Sequence, residues 1–120
     1  MLNKKYASGS HFLGKIYTSN SQKLLFSKKA QKVISKAIEE SGFKELGSFY
    51  HEFPQGGFTG VVVLSESHVA IHTWPEFNYL TMDVYVCNYT KDNTAGCEKL
   101  FDQISKFFEP KRVIKKKLLR

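Results

Sequence analysis

Two helical repeats of apolar residues, set among strand-like segments, constrain the fold of this chain more than any other feature. In residues 27–41 the apolar side chains recur at the i, i+3, i+4, i+7 spacing of one helical face. A second repeat covers residues 97–108, after a cap at Asn93 or Thr94 and before a stop at Pro110. These spacings predict two helices, each with one buried face.

Strand-like segments, rich in β-branched and aromatic residues, account for most of the remaining chain. The order strand, helix, strands, helix, strand is typical of the α+β class. We therefore predict a two-layer sandwich, with a mainly antiparallel sheet and both helices packed on one face. The other face is left for a partner or a ligand. The predicted strands are residues 12–17, 46–53, 59–64, 68–73, 81–87 and 112–119.

The length of the chain limits the number of domains, and its charge bears on the partners that it can bind. A chain of 120 residues buries one modest core, so we expect a single domain over residues 1–120. Six of the last ten residues are basic, and the net charge is +7. A basic run attracts nucleic acid, but lysines also protect an edge strand from aggregation. We interpret the run as an edge strand and expect no nucleic-acid partner.

The two cysteines and the apolar segments indicate the compartment. Cys87 and Cys97 are too few for a disulfide scaffold and lack the clustered spacing of a zinc site. Cys97 falls on the apolar stripe of the second predicted helix, and we interpret it as a core residue. No segment approaches the roughly 18 apolar residues of a membrane span, and residues 1–10 lack the apolar run of a secretory signal. We expect no metal, no membrane association and a cytoplasmic location.

The segment from residue 64 to residue 76 is the most informative, and it reads Leu-Ser-Glu-Ser-His-Val-Ala-Ile-His-Thr-Trp-Pro-Glu. Its spacing alone is that of a hairpin, in which a strand with two histidines follows a Ser-Glu-Ser turn. Its residues closely resemble the S-adenosylmethionine decarboxylase proenzymes of bacteria and archaea. The resemblance continues from Asp83 to Cys87 and extends more weakly over residues 9–108. It implies a self-processing, pyruvoyl-dependent decarboxylase of polyamine biosynthesis.

The resemblance implies how the chain is processed. Ser67 Oγ attacks the carbonyl of Glu66 to form an ester, and β-elimination then releases Glu66 as a new C-terminus. Hydrolysis of the resulting enamine leaves a pyruvoyl group at position 67. His72 matches the base that takes the Ser67 α-proton, and Thr59 matches a serine that supports the oxyanion. His72 lies five residues from Ser67, on the opposite face of a regular strand, so the backbone bends near Ser67 or another group serves. The predicted products are residues 1–66 and 67–120.

The pyruvoyl group from Ser67 is the cofactor that the resemblance implies. It forms a Schiff base with the substrate amine and withdraws electrons as carbon dioxide leaves. Cys87 matches the residue that protonates the product. Phe53 and Trp74 match an aromatic pair that sandwiches adenine, and Glu76 matches a carboxylate that binds the ribose. Small members of the family are dimers whose pockets draw on both protomers, so we expect a homodimer of cleaved protomers.

Four positions depart from the family pattern. Thr59 replaces a serine, Ser19 a cysteine and Asn88 a glycine. Lys15 stands where an acidic residue is usual, which reverses a charge and leaves the substrate open.

Three alternatives remain at this level. A pyruvoyl-dependent ornithine or arginine decarboxylase on the same scaffold would have an acidic pocket around Asp83 and Glu76. A non-catalytic regulatory paralogue would fail to cleave itself, and a nucleic-acid-binding domain would use the charge of +7. The intact set of Ser67, His72 and Cys87 argues against both non-enzymatic alternatives.

Overall fold

The computed structural model describes residues 7–88 and 91–120. Six strands and two helices follow one another in the predicted order. The strands are β1 (Ser10–Thr18), β2 (Glu45–Glu52), β3 (Phe58–Leu64), β4 (Ser67–Trp74), β5 (Tyr79–Val86) and β6 (Pro110–Leu119), and the helices are α1 (Lys28–Glu40) and α2 (Thr94–Phe107). Short 3₁₀ helices lie at Ser21–Leu24 and Pro75–Phe77.

The strands form a single sheet in the order β2-β3-β4-β5-β1-β6. Every neighbouring pair is antiparallel. Strands β3, β4 and β5 are consecutive in the chain and joined by short turns, whereas β1 pairs between β5 and the last strand, β6. Both helices pack on one face, so the predicted α+β sandwich is confirmed.

The core lies between the helices and one face of the sheet. Alternation along each strand sends every second side chain into this layer, as in β5, where Leu80, Met82, Val84 and Val86 are buried. On α1 the buried residues are those of the predicted apolar face. Cys97 is fully buried on α2, and burial raises the pKa of its thiol to about 12. The interpretation of Cys97 as a core residue is confirmed.

The opposite face of the sheet, here called the open face, is not covered by any described part of the chain. Its central strands carry polar and aromatic side chains, while Phe49 on β2 and Val61 and Val63 on β3 remain substantially exposed. The side chains of the open face on the four central strands are Thr59, Val61, Val63, His68, Ala70, His72, Trp74, Tyr79, Thr81, Asp83, Tyr85, His11, Leu13, Lys15 and Tyr17.

Strand β6 is an edge strand whose residues are all exposed, as the basic run predicts. Lys115 turns back towards α2 and forms ion pairs with Glu98 at 2.9 Å and Asp102 at 3.0 Å. The basic edge is therefore partly neutralised by the acidic residues of the helix beside it. None of the described helices is long and apolar enough to cross a membrane.

The structure departs from the predicted boundaries at three places that matter for the site. Strand β2 ends at Glu52, so Phe53 lies in the loop that follows, and β5 ends at Val86, so Cys87 lies just beyond the strand. The third place is the start of β4. Strand β4 begins at Ser67, which pairs with Leu64, so the β3–β4 loop consists of Ser65 and Glu66 alone. The last serine of the predicted Ser-Glu-Ser turn therefore belongs to the strand. The 3₁₀ helix Ser21–Leu24, which buries Leu24, was not predicted within the polar segment around it.

Candidate active site

Ser67 has an unusual backbone conformation at the start of β4. Two-residue hairpin loops normally need positive φ angles within the loop and therefore favour glycine or asparagine. Ser65 and Glu66 do not adopt positive φ, and the positive value of 150° falls on Ser67 instead. A residue with a side chain rarely adopts such an angle, and the strain costs on the order of 1–3 kcal/mol. The strained residue is the serine of the proposed cleavage site.

The carbonyl of Glu66, which precedes Ser67, is held by a backbone donor. The amide of Cys87 donates a hydrogen bond to this oxygen at 2.8 Å. The contact follows from the register of the sheet, since Ser67 pairs with Val86. A backbone N–H in this position stabilises negative charge that develops on the oxygen.

The start of α2 closes this end of the site. The amide of the buried Asn93 side chain donates to the carbonyl of Cys87 at 2.9 Å and lies 3.5 Å from the Glu66 carboxylate. Asn93 occupies the predicted N-cap position of α2 but makes no side-chain capping hydrogen bond there. Its side chain instead links α2 to the hairpin.

His68 is the imidazole beside Ser67. The Ser67 Oγ lies 3.4 Å from His68 Nδ1. The His68 ring packs against Tyr85, with ring centroids 5.9 Å apart, and the guanidinium of Arg120 lies 4.8 Å from the same tyrosine ring. We call Glu66, Ser67, His68, Cys87 and Asn93 the cleavage cluster.

A second group of predicted residues lies near the other end of β4. Thr59 and His72 face each other across β3 and β4, and the Thr59 hydroxyl is hydrogen-bonded to His72 Nδ1. Thr59, which replaces the family's serine, therefore still supplies a hydroxyl group that is hydrogen-bonded to His72. The ring of Trp74 lies 6.2 Å from the His72 ring.

Aromatic rings continue from Trp74 across the open face. Tyr79 stacks on Trp74 at 5.2 Å with an interplanar angle of 14°, and Tyr17 stacks on Tyr79 at 5.4 Å. The guanidinium of Arg112 lies 5.9 Å over the Tyr17 ring. This row of rings offers a flat apolar platform, which suits the stacking of a planar base.

Phe53 and Glu76 lie at the same end of the sheet as Trp74. The loop after β2 turns back through two hydrogen bonds: the Phe53 amide donates to the Gly57 carbonyl, and the Gly56 amide donates to the Phe53 carbonyl. A Cβ on Gly57 would lie only 3.0 Å from Pro75, so the loop packs directly on the residue between Trp74 and Glu76. We call Thr59, His72, Trp74, Phe53 and Glu76 the histidine–aromatic cluster.

The two clusters are apart within one chain. Strand β4 is regularly paired on both sides from Ser67 to Trp74, and at about 3.3 Å per residue His72 lies about 16 Å from Ser67. The chain therefore does not bring its own His72 to its own Ser67. Despite the unusual angle at Ser67, the strand does not bend enough to bring the two together.

Charged groups occupy the centre of the open face. A shallow cavity of about 350 Å³ lies at the Tyr17 end, and another of about 320 Å³ is lined by Lys15, Asp83 and Lys116. Nearby, His11 is mostly buried, with Nε2 4.0 Å from the Asp83 carboxylate. Burial lowers the pKa of His11 below its ordinary value of 6.5; Asp83 opposes this shift, and Arg120 and His68 add to it.

Several groups in or beside these clusters lie outside the set that was predicted from the sequence. They are His68, Tyr79, Asn93 and the backbone amide of Cys87. His68 had a detectable signal, because it stands next to Ser67 in the motif. Tyr79 shares the strand parity of Asp83, which places both on the open face. The roles of Asn93 and of the amide depend on long-range pairing, which leaves no local signal.

The fold and the site place the chain in a class that solved structures already represent. The adenosylmethionine decarboxylase of Aquifex aeolicus has the same fold, with a TM-score of 0.85 and 30% sequence identity. The match covers 97% of this chain and 92% of that one. The class is that of decarboxylases, which are carboxy-lyases.

The sequence comparisons identify the family. The family model described as S-adenosylmethionine decarboxylase matches residues 10–120, and the chain belongs to this family. The S-adenosylmethionine decarboxylase proenzyme of Persephonella marina is 36% identical over 90% of this chain and 78% of its own length. The proenzyme of Picrophilus torridus is 30% identical over 97% of this chain and 86% of its own length.

These findings confirm the resemblance to the S-adenosylmethionine decarboxylase proenzymes and the α+β fold class. They also confirm the interpretation of the chain as an S-adenosylmethionine decarboxylase. They do not favour the ornithine or arginine decarboxylase, the regulatory paralogue or the nucleic-acid-binding domain. The relatives are named as proenzymes, which means that they are made as precursors.

Proposed function

We propose that this chain is the precursor of a pyruvoyl-dependent S-adenosylmethionine decarboxylase of polyamine biosynthesis, and that it cleaves itself between Glu66 and Ser67. The observation that carries the proposal is the Glu66–Ser67 peptide itself. Its serine is strained at a φ of 150°, and its carbonyl accepts a hydrogen bond from the Cys87 amide. The products are residues 1–66 and residues 67–120, the latter beginning with the pyruvoyl group.

The chain's own groups account for the first part of processing. Attack by the Ser67 hydroxyl converts the carbonyl of Glu66 into a tetrahedral oxyanion, which the Cys87 amide stabilises more strongly than the neutral carbonyl. Transfer of the acyl group from nitrogen to oxygen also releases the strained peptide geometry at Ser67. The first effect speeds formation of the ester, and the second favours the ester over the intact peptide.

The second part of processing draws on a partner. His72 is the proposed base for the α-proton of Ser67, with Thr59 fixing its ring through the hydrogen bond to Nδ1. Within one chain, at about 3.3 Å per strand residue, His72 lies about 16 Å from Ser67 and is too remote for this task. The histidine–aromatic cluster of a second protomer therefore supplies it.

The open face supports a homodimer with the required geometry. It carries exposed apolar residues, including Phe49, Val61 and Val63, that a partner sheet would cover. A two-fold axis that runs between the sheets and across the strands reverses β4 of one copy over β4 of the other. The cleavage cluster of each protomer then lies against the histidine–aromatic cluster of its partner.

The mature site combines the same two clusters. The pyruvoyl carbonyl at position 67 supplies the electrophile and electron sink that loss of the substrate carboxylate requires. The Cys87 thiol, beside residue 67 and half-buried, donates a proton to the substrate carbon. Trp74 and Phe53 stack with the adenine, and Glu76 accepts hydrogen bonds from the ribose hydroxyls. Aromatic rings also attract the sulfonium charge of S-adenosylmethionine.

Intact mass spectrometry of the purified protein tests the proposal. We expect two fragments divided at Glu66/Ser67, with fragment 67–120 lighter by one ammonia than a chain that begins with serine. Incubation with S-adenosylmethionine and cyanoborohydride should add substrate mass to fragment 67–120 alone. Parallel incubations with ornithine and arginine test the substrate.

The control is Ser67→Ala, which should remain a single chain and take up no amine. A wild-type protein that stays uncut and unlabelled would overturn the proposal. Labelling by ornithine or arginine but not by S-adenosylmethionine would support the pyruvoyl mechanism. It would contradict the proposal that S-adenosylmethionine is the substrate.

A further inference from the structure

We infer that His68 is the catalytic base of the first processing step, and that it acts within its own protomer by taking the proton of the Ser67 hydroxyl. The inference rests on the proposed function, because it concerns the same Glu66–Ser67 bond. It adds a residue outside the predicted set and divides processing into a step within one chain and a step between chains.

The distances favour His68 for this role. Its Nδ1 lies 3.4 Å from the Ser67 Oγ in the uncut chain, within a small side-chain rotation of a hydrogen bond. A neutral imidazole accepts a proton at the nitrogen that carries none, and Nδ1 is the nitrogen that faces the hydroxyl. His72 of the same chain, about 16 Å away at 3.3 Å per strand residue, does not reach it.

The surroundings of His68 hold its ring near the serine. The ring packs against Tyr85, and Tyr85 in turn contacts His11 at 5.5 Å between centroids. Arg120 completes the group, with Nη1 3.2 Å from His11 Nδ1 and its guanidinium 4.8 Å from the Tyr85 ring. These side chains come from β4, β5, β1 and the end of the chain, so the sheet itself orients the base.

The step is balanced without any further reactant. As the Ser67 Oγ bonds to the carbonyl carbon of Glu66, its proton moves to His68 Nδ1. The oxyanion that forms is held by the Cys87 amide. The bond between the Glu66 carbonyl carbon and the Ser67 nitrogen then breaks, and His68 returns the proton to that nitrogen. The result is an ester and a free amine, with no net change in composition.

The two histidines therefore act at different stages. His68 forms the ester, and His72 of the partner removes the α-proton from Ser67 in the elimination that follows. Loss of His68 blocks the chain before the ester, whereas loss of His72 blocks it after the ester. Hydroxylamine separates these states, because it cleaves an ester under conditions that leave a peptide bond intact.

The experiment follows full-length protein from cell-free synthesis over time, with hydroxylamine added to aliquots before mass analysis. We expect wild-type protein to cleave spontaneously and His72→Gln to cleave at residue 66 only with hydroxylamine. His68→Gln should form ester about 100-fold more slowly than wild type, the scale of a lost general base. Lys32→Gln is the control, since it changes an exposed side chain of α1 on the other side of the sheet, and it should cleave at the wild-type rate.

Chemical rescue distinguishes a base from a residue that merely packs. His68→Gly should regain ester formation when free imidazole is added, while His72→Gln should gain no ester from it. Circular dichroism checks that each variant is folded, and His68→Asn replaces any His68 variant that is not.

The outcomes separate this inference from the proposed function. If wild-type protein never cleaves, the proposed function fails. If wild type cleaves while folded His68→Gln forms ester at the wild-type rate, or imidazole fails to restore a folded His68→Gly, the role of His68 is overturned and the proposed function stands.

Discussion

Cys87 contributes to the site in two chemically separate ways. Its backbone amide binds the Glu66 carbonyl, and its thiol is the proposed proton donor to the substrate. The amide is independent of the side chain, and this allows the two roles to be tested apart by substitution.

For Cys87→Ala we expect self-cleavage close to the wild-type rate, because the amide remains. Decarboxylation should fall by about 10²- to 10⁴-fold, the usual contribution of a positioned general acid. Release of labelled carbon dioxide measures the activity, and gel analysis measures cleavage. Cys97→Ala removes the other thiol, which is buried on the helix side of the sheet, and its folded fraction should keep normal activity. A Cys87→Ala enzyme of full activity would remove the thiol from the mechanism.

At the scale of the elements, the approach of α2 to β1 depends on the absence of a side chain at Gly14. A Cβ at this position would overlap the ring of Phe101, which is fully buried on α2. The sheet therefore meets the helix at a point where the sequence alone shows only a glycine within a strand.

We expect Gly14→Ala to lower the free energy of unfolding by about 1–3 kcal/mol, since overpacking displaces Phe101 or shifts α2. Urea unfolding followed by circular dichroism measures the effect. Gly47→Ala is the matched control in β2, where nothing lies within 4 Å of the added Cβ, and it should change stability by less than about 0.5 kcal/mol. Equal effects of the two substitutions would contradict the packing explanation.

His11 links β1 to the charged centre of the open face. Its pKa is lowered in the folded chain, mainly by burial, with Asp83 opposing and Arg120 and His68 reinforcing the shift. The unfolded chain then binds the proton more readily than the folded one. This contribution to stability is complete above about pH 6.5 and is lost as the pH falls from that value through the lower pKa of the folded chain.

Replacement of His11 by Gln should therefore flatten the dependence of Tm on pH between about pH 7 and pH 5. Wild-type protein should lose more Tm over this interval than the variant, as followed by differential scanning calorimetry. Identical slopes for both proteins would show that His11 does not contribute to the acid sensitivity.

At the scale of the whole molecule, the central issue is which chain supplies which part of the site. The cleavage cluster and the histidine–aromatic cluster lie at opposite ends of β4, so a pair of chains has two complete sites only if each site is shared. Complementation between two inactive variants tests this arrangement directly.

Neither Ser67→Ala nor His72→Ala should cleave when produced alone. When the two are co-expressed with different tags, we expect the His72→Ala chain to be cleaved, because the Ser67→Ala partner supplies an intact His72. The maximum is about half of that chain if the pairs assemble at random, and mass spectrometry identifies the cleaved tag. Absence of cleavage in isolated mixed pairs would place His72 and Ser67 in the same protomer.

The local structure and the chemical identity of the chain follow from short segments of its sequence. Helix α1 and helix α2 follow from apolar spacing, the strands from alternation, and the decarboxylase family from the residues around Ser67. These properties depend on neighbours in the chain. They can be predicted from sequence because each depends on the residues of one short segment.

The grouping of the candidate residues, in contrast, depends on the folded sheet. The insertion of β1 between β5 and β6, the contact of the Cys87 amide with Glu66, and the stacking of Tyr79 on Trp74 all depend on strand pairing. The same pairing keeps β4 extended and separates His72 from Ser67, while the hairpin brings His68 to the serine. Pairing partners and register arise from packing across the whole sheet, and no local pattern in the sequence specifies them.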